Sequence, residues 1–325
     1  MVVLCLVLQQ KGMVIKMTGT IERYEQAAAL LPHRLRRMAL ALSDTQKERV
    51  EELRLRAGLP MTVLTPEGEL SVDPFSRDAL VTPEDLEQML ASVTEYSRYA
   101  SMEEIRQGYL CVRGGFRLGV CGTVIIRDGA SANIREFSSF SLRIVREHIG
   151  IASDCAPQLF DGETFQSTLI LSPPGGGKTT LLRDLIRILS MGDEARRAQR
   201  VAVIDERGEI AVAYQGRAQM ELGNHTDVLC SCPKALGIPM VLRAMNPQII
   251  AVDEITAAED IKAMCMAANC GAGLLATIHA GSLAELTRKP LWRELLAADV
   301  FRRCITILRE GEARRYEVNE LCCEG

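Results

Sequence analysis

A lysine and two threonines follow three glycines in the segment Ser172-Pro-Pro-Gly-Gly-Gly-Lys-Thr-Thr180. Glycine backbone can curl closely around an anion, and the N–H groups of a helix N-terminus point towards it. In such a loop Lys178 would reach the β- and γ-phosphates, and the hydroxyl of Thr179 would serve Mg²⁺. The pattern therefore predicts a site for a nucleotide and Mg²⁺. Its candidate binding residues are Gly175, Gly176, Gly177, Lys178, Thr179 and Thr180.

The segment departs by one residue from the G-x-x-x-x-G-K-[ST] pattern, because Ser172 stands where the first glycine is expected. Pro173 and Pro174 have no N–H group, so the cradle must come from residues 175–180. The apolar run TLILS precedes the glycines and the amphipathic run LLRDLIRIL follows them. This strand, loop and helix order favours a phosphate site over an ordinary glycine-rich loop.

Acidic pairs follow two other apolar runs. Asp253-Glu254 ends QIIAVDE, where Asp253 could bind the metal and Glu254 could act on the attacking water. Asp205-Glu206 ends RVAVIDE, and a charged surface turn is the alternative interpretation for that pair. The pattern leaves open which acid orients the water.

His279 follows a fourth apolar run, GLLATIHA. Apolar strands that alternate with helices indicate a parallel sheet buried on both faces, whose ligands lie at the carboxyl ends of its strands. Each of the four runs has its polar residues at that end. A sensing or water-orienting role for His279 is thus as well supported as a structural one.

Two domains are expected along the 325 residues. We place an α+β domain at 17–156 and an α/β nucleotide-binding domain at 157–325, and interpret residues 1–16 as an extension before a start at Met17. In the first domain a helical pattern covers Ile21 to about Arg56 and contains a capping box at Ser43-Asp44-Thr45-Gln46. A second helix begins after Thr82, which can cap it. Alternating residues around Gly114-Gly115 predict a β-hairpin followed by further strand, and SSFSLRIV predicts another strand.

Composition narrows the range of functions. The formal net charge is −4, and the sequence has no stretch in which basic residues are interleaved with aromatic ones. A nucleic-acid partner is therefore not expected. No run is a convincing transmembrane helix, which predicts a cytoplasmic protein, with membrane docking through a partner left open. The 11 cysteines contain no C-x-x-C pair, so no structural zinc is expected.

The order of these motifs resembles that of the secretion ATPases of type II and type IV secretion and pilus systems. It consists of the glycine loop, VIDERGEIA, LRAMNPQIIAVDEI and AANCGAGLLATIHAGS, which resemble the Walker A, Asp box, Walker B and His box of those enzymes. The resemblance implies a RecA-like α/β P-loop NTPase with a mainly parallel sheet, preceded by a smaller α+β domain. It also implies assembly as a homo-oligomeric ring, a hexamer.

Residue roles are implied by the same resemblance. Lys178 and Thr179 match the Walker A pair, Glu254 the Walker B glutamate, and His279 the His box. Asp205 and Glu206 match the Asp box, and in the family N-terminal arginines approach the γ-phosphate. The candidates for that last role are Arg117 in GGFRLG and Arg143 in FSLRIV, with ordinary strand-surface arginines as the alternative. The Walker B glutamate of the family is commonly part of the motif Glu-Ile-Arg. In this chain the position of that arginine is occupied by Thr256.

Within the family the chain resembles a sporulation branch. This implies that ATP hydrolysis energises a channel-like complex between mother cell and forespore, with the ATPase on the mother-cell cytoplasmic side. The implied partners are copies of the chain itself and other proteins of the stage III sporulation complex at the forespore membrane. Two alternatives stay open: a nucleotide-gated scaffold with little hydrolysis, and a DNA-dependent motor on the same core fold.

Overall fold

A computed structural model describes residues 20–73, 80–94, 102–106, 108–127, 130–286, 288–310 and 313–321. The segment 1–16, interpreted above as an extension, lies outside these ranges. The chain forms two compact units. The N-terminal unit runs to Glu147 and includes Tyr214–Gln219, and the C-terminal unit contains the remainder from His148 onwards.

Five helices are described in the N-terminal unit. They are α1 (20–28), α2 (His33–Leu40), α3 (Asp44–Lys47), α4 (Pro83–Val93) and α5 (Met102–Arg106). The predicted caps are confirmed, because Ser43 accepts a hydrogen bond from the Gln46 N–H and Thr82 accepts one from the Asp85 N–H. These caps satisfy N–H groups that have no partner within their helices, so each helix begins where the sequence indicates.

A six-stranded antiparallel sheet completes this unit, in the order β3-β2-β1-β6-β5-β4. Its strands are β1 (Glu52–Arg56), β2 (Thr62–Thr65), β3 (Gly68–Ser71), β4 (Tyr109–Val112), β5 (Phe116–Arg127) and β6 (Ala130–Arg143). The predicted hairpin is confirmed: β4 and β5 pair around Gly114 and Gly115, both of which have positive φ. SSFSLRIV also lies largely in a strand, β6.

The helical pattern extended to Arg56 is wrong at its end. Residues 52–56 form the central strand β1, which pairs with both β2 and β6. Leu53 and Leu55 alternate with arginines and are fully buried, which is the two-residue period of a strand. Five residues are too few to separate this period from a helical one without knowing the neighbouring strands.

The C-terminal unit contains a seven-stranded sheet in the order β11-β10-β12-β13-β9-β14-β15. The four predicted runs form parallel strands: β9 (Thr168–Ser172), β10 (Val201–Asp205), β12 (Ile249–Val252) and β13 (Gly273–His279). Strands β11 (Thr226–Cys230) and β14 (Arg303–Glu310) extend the parallel sheet, and β15 (Ala313–Glu320) pairs antiparallel with β14. A two-residue pair, β7 (Phe160–Asp161) with β8 (Thr164–Phe165), precedes them.

Helices cover this sheet and its central strands are buried. The helices are α6 (Lys178–Met191), α7 (Lys234–Met245), α8 (Ala258–Asn269), α9 (Leu283–Leu286) and α10 (Pro290–Ala297). Two buried clusters of apolar side chains include residues of the central strands: one contains Leu169 and Ile250, the other Ile170 and Ile249. Alternate residues of one strand thus enter different clusters, as in a sheet buried on both faces.

The units divide between Glu147 and His148, whereas the sequence places the domain boundary at 156–157. Residues 148–159 go with the second unit because Ala152, Cys155 and Leu159 are buried in its core. Among the described residues, no helix is long and apolar enough to cross a membrane.

Candidate functional site

The glycine loop links the buried strand β9 to helix α6. Gly175 and Gly177 have φ of +73° and +97°, the left-handed region in which a side chain is strained. Gly176 is needed for space instead, since a Cβ there would lie 1.6 Å from the Ser172 Oγ. The turn brings Lys178 to the first position of α6 and leaves the first N–H groups of the helix available to an anion.

Lys178 is held by three acceptors of the protein. Its Nζ donates to the backbone oxygens of Ser172 (3.2 Å) and Pro173 (3.3 Å) and lies 2.7 Å from the Nδ1 of His279. Burial lowers the pKa of Lys178, and the opposing charges of Asp253 and Glu254 offset part of this effect. The ammonium thus lies under the glycine loop, at the edge of the sheet where the parallel strands end.

Thr179 and Asp253 meet although they are far apart in the sequence. The Thr179 hydroxyl donates to Asp253 Oδ2 at 2.8 Å, and the Thr277 hydroxyl donates to the other carboxylate oxygen at 2.6 Å. Hydroxyl and carboxylate oxygens are hard ligands, and Mg²⁺ is commonly bound by one or two such groups together with phosphates and water. The predicted metal ligands Thr179 and Asp253 therefore form a donor pair that fits Mg²⁺.

Glu254 lies beside this pair with a strained backbone. Its φ is +35°, and its N–H donates to Asp253 Oδ1 (3.0 Å) and to the Thr277 hydroxyl (2.9 Å). Its carboxylate contacts the Nε2 of His279 and a guanidinium nitrogen of Arg207, each at 2.9 Å. Backbone strain of this kind is found at functional sites when surrounding contacts hold it in place.

His279 connects the lysine to the glutamate. Its Nδ1 faces the Lys178 ammonium, which can only donate, so this nitrogen accepts and the proton lies on Nε2, where it is donated to Glu254. A continuous chain of contacts thus runs from Lys178 through His279 and Glu254 to Arg207. The sequence assigned no role to Arg207, and only its place beside the Asp box could have suggested one.

The two acids of the Asp box differ from each other. Asp205 is 1% exposed, and its carboxylate accepts the N–H groups of Glu209, Ile210 and Ala211 at 2.8 to 3.1 Å. Glu206 pairs with the ammonium of Lys234, whose hydrogen bond lowers the pKa of Glu206 despite partial burial. The carboxylates of Asp205 and Glu206 thus bind residues 209–211 and Lys234, whereas the Glu254 carboxylate contacts His279, which in turn contacts Lys178.

The predicted arginines lie next to each other in the N-terminal unit. Arg117 and Arg143 are paired across β5 and β6, and both are exposed. Arg117 stacks over the Tyr109 ring at 4.0 Å, and Arg143 contacts the Glu52 carboxylate at 3.1 Å. The role of these two arginines towards the γ-phosphate stays a prediction.

Two other kinds of site, a cluster of metal-ligating side chains and a reactive cysteine, were considered among the residues that the structure describes. No group of three or more His, Cys, Asp or Glu side chains could hold a metal ion there. Burial raises the pKa of the Cys155 and Cys304 thiols, to about 11 and about 12. Such thiols are protonated at neutral pH and are poor nucleophiles or metal ligands.

The parallel sheet, the glycine loop at its carboxyl edge and the surrounding acids define a RecA-like P-loop NTPase fold. Two solved structures share it: the pilus retraction motor PilT with bound ADP and the Legionella pneumophila ATPase DotB. The TM-scores are 0.59 and 0.52, each at 19% identity, covering 85% and 79% of this chain and 80% and 72% of those chains. At that identity the likeness concerns the fold alone.

The chain belongs to the family described as sporulation stage III, protein AA, whose sequence model matches residues 21–319. A relative in this family, the stage III sporulation protein AA of Bacillus subtilis strain 168, is 34% identical over 284 residues. That alignment covers 87% of this chain and 91% of the relative. The resemblance to the sporulation branch of the secretion ATPases is thereby confirmed.

Proposed function

We propose that this protein is a Mg²⁺-dependent ATPase that hydrolyses ATP to ADP and phosphate. The observation that carries the proposal is the convergence of Lys178, the Thr179–Asp253 pair and Glu254 at one sheet edge. The loop 175–180 would bind the phosphates through its N–H groups. Bound between Thr179 and Asp253, Mg²⁺ would neutralise charge on the β- and γ-phosphates.

Catalysis in such a site is mostly positioning and electrostatic stabilisation. In the structure the Lys178 Nζ donates to the backbone oxygens of Ser172 and Pro173 and contacts His279. A phosphate oxygen of bound nucleotide would replace one or more of these acceptors. Glu254 is our candidate for orienting the attacking water, because its carboxylate lies at the site and the Asp205 and Glu206 carboxylates are engaged elsewhere. His279 would then position Glu254 through its Nε2 proton.

The family and the fold support a mechanical role. We propose that the chain works as a homo-oligomeric ring, a hexamer, on the mother-cell cytoplasmic side of the forespore membrane. Its partners there would be the other proteins of the stage III sporulation AA–AH complex, and hydrolysis would energise a secretion-like channel. Arg117 and Arg143 are the candidates for approaching the γ-phosphate.

A second function is favoured by one observation. The Glu254 carboxylate is held from both sides by His279 and Arg207, and Lys178 is linked to it through His279. If nucleotide binding did not release these contacts, the protein would be a nucleotide-gated scaffold that binds ATP with little hydrolysis.

Steady-state phosphate release, ATP affinity and mass by light scattering distinguish the two functions. The variants are Lys178→Ala and Glu254→Gln, with Lys262→Ala on the exposed side of α8 as a matched lysine control. For the ATPase we expect Lys178→Ala to lose binding and turnover, and Glu254→Gln to keep binding and lose turnover. ATP binding without turnover in the assembled wild type would favour the scaffold, and absence of ATP binding would refute both.

A further inference from the structure

A short loop of the chain leaves the C-terminal unit, enters the N-terminal unit and returns. The units divide at 147–148, and the chain crosses between them twice more, because Tyr214–Gln219 belong to the N-terminal unit while the residues on both sides belong to the C-terminal unit. We call residues 212–219 the strap. A single linker leaves two units free to move independently, whereas the strap ties them together at a second place in the chain.

The beginning of the strap is fixed to two elements of the nucleotide site. Residues 209–211, which precede it, donate their N–H groups to the carboxylate of Asp205 at the end of β10. The guanidinium of Arg183 on α6 donates to the backbone oxygens of residues 209 and 210 at 2.9 and 2.8 Å. Helix α6 begins at Lys178. The strap therefore moves with the helix that carries the candidate phosphate ligands.

The strap itself is a closed loop with a strained backbone. It is closed by the Met220 N–H, which donates to the Ala211 backbone oxygen at 3.3 Å. Tyr214 and Arg217 exchange backbone hydrogen bonds of 2.9 and 3.0 Å, and both residues between them have positive φ, as in a tight hairpin turn. Val212 is buried with a φ of +47°, which a β-branched residue rarely adopts. Such strain persists where surrounding contacts impose it, and it is typical of segments that switch.

The far end of the strap is bound to the turn between β4 and β5. The Gln219 Oε1 accepts the Gly114 N–H at 2.9 Å, and the Gln219 Nε2 donates to the Arg217 backbone oxygen at 3.1 Å. The Gly114 backbone oxygen accepts a hydrogen bond from the Arg23 guanidinium on α1 at 2.6 Å. Both polar groups of Gly114 are thus held, one of them by the strap. Arg117, a candidate for approaching the γ-phosphate, follows this turn on β5.

We propose that the strap couples the nucleotide site to the β4–β5 turn, and that Gln219 is the positioning residue that makes the connection. Phosphate binding at α6 shifts the strap, and the strap shifts the turn that precedes Arg117. The strained φ of Val212 gives the strap a second arrangement, into which its backbone relaxes when α6 moves. The proposal rests on the proposed function, because the bound nucleotide supplies the change that the strap transmits.

Hydrogen–deuterium exchange of the whole chain, with and without Mg²⁺–AMP-PNP as a non-hydrolysable nucleotide, tests the coupling. Gln219→Ala removes the acceptor of the Gly114 N–H, and Gln219→Glu keeps one. Gln199→Ala is the glutamine control, since the Gln199 amide donates to the nearby backbone oxygen of Arg197. In the wild type and the control, nucleotide should slow exchange at 175–183 and change exchange at 109–116. In Gln219→Ala only the first effect should remain, and Gln219→Glu should restore the second.

Steady-state kinetics gives a second readout. Gln219→Ala should lower kcat about fivefold, the factor for loss of one hydrogen bond between uncharged groups, and change the KM for ATP by less than about twofold. Gln219→Glu should keep the wild-type kcat, which a general loss of stability would not allow. Val212→Gly relieves the strain without touching Gln219 and should lower kcat as well.

The outcomes separate this proposal from the ATPase. A nucleotide effect at 109–116 that persists in Gln219→Ala, or that is absent from the wild type while 175–183 is protected, would overturn the coupling and leave the ATPase proposal intact. A wild-type kcat in Gln219→Ala would overturn its positioning role. If the wild type bound AMP-PNP but did not turn over ATP, the ATPase proposal would fail and the exchange result would decide the coupling. If it bound no nucleotide, both proposals would fail.

Discussion

Replacement of Asp205 distinguishes a carboxylate that holds the protein together from one that acts on substrate. Asp205 lies at the end of β10, and its two oxygens accept N–H groups from three consecutive residues, 209–211. Ile210 and Ala211 are fully buried, so water cannot replace the carboxylate there. Arg183 holds the same segment from the other side by donating to the backbone oxygens of Glu209 and Ile210.

The size of the effect follows from these contacts. Asp205→Ala leaves two buried donors, the N–H groups of Ile210 and Ala211, without a partner, at about 1 kcal/mol or more for each, so the free energy of unfolding should fall by about 2 kcal/mol or more. At about 2–4 °C per kcal/mol for a unit of this size, the thermal midpoint should fall by about 4–8 °C or more. Asp205→Asn keeps one acceptor oxygen and should lose part of this amount.

Thermal unfolding followed by circular dichroism measures this directly. Asp227→Ala on the neighbouring strand β11 is the matched control, because Asp227 is exposed and its replacement should change stability by less than about 0.5 kcal/mol. ATP affinity of the folded Asp205 variants should stay near that of the wild type. An Asp205→Asn variant with an unchanged midpoint and no ATP turnover would refute the structural role and return Asp205 to the reacting water.

Three further predictions concern other parts of the molecule. Gly176→Ala should weaken nucleotide binding because its Cβ would lie 1.6 Å from the Ser172 Oγ and 3.1 Å from the Pro173 backbone oxygen, and adding Ser172→Gly should recover part of the affinity in a calorimetric titration; no recovery would contradict the steric role of Ser172. His279→Ala should reduce turnover on the order of 10²-fold by misplacing Glu254 while ATP affinity changes little, so an unchanged turnover would remove the positioning role. Burial would raise the pKa of Glu52, but hydrogen bonds from Ser141 and two arginines prevail and hold it below its usual value. The stabilisation from Glu52 is then present at neutral pH and lost as pH falls through the folded pKa. The difference in thermal midpoint between wild type and Glu52→Gln should therefore close below about pH 4.3, and a constant difference would contradict it.

The first domain shows how far local pattern reaches. Thr82 and Ser43 cap their helices as predicted, because a cap needs only residues within one turn. The local pattern assigns the residues of strand β1 to a helix, because these five residues become a strand through pairing with β2 and with β6, which lies far along the chain. Local composition is a poor predictor of the secondary structure of such a short segment, because pairing with neighbouring strands contributes most of the stability of the strand.

The sequence by itself determined the chemistry available at the sheet edge. Three glycines before Lys178 allow a loop that no other residues would form, and each buried strand brings its following polar residue to one edge. The RecA-like fold and the sporulation family follow from that order of motifs. Only the tertiary structure decided which polar groups meet there.

Strand order in a parallel sheet is set by packing between distant segments, and adjacency in space therefore does not follow adjacency in sequence. β13 and β12 lie side by side, which brings His279 to Glu254, and β14 lies beside β9, which brings Arg314 to Gly177. Asp205 and Glu254 look alike in sequence, since each is part of an acidic pair at a strand end. Their environments differ because three backbone N–H groups, two of them buried, surround the Asp205 carboxylate, whereas His279 and Arg207 contact the Glu254 carboxylate at the edge of the site.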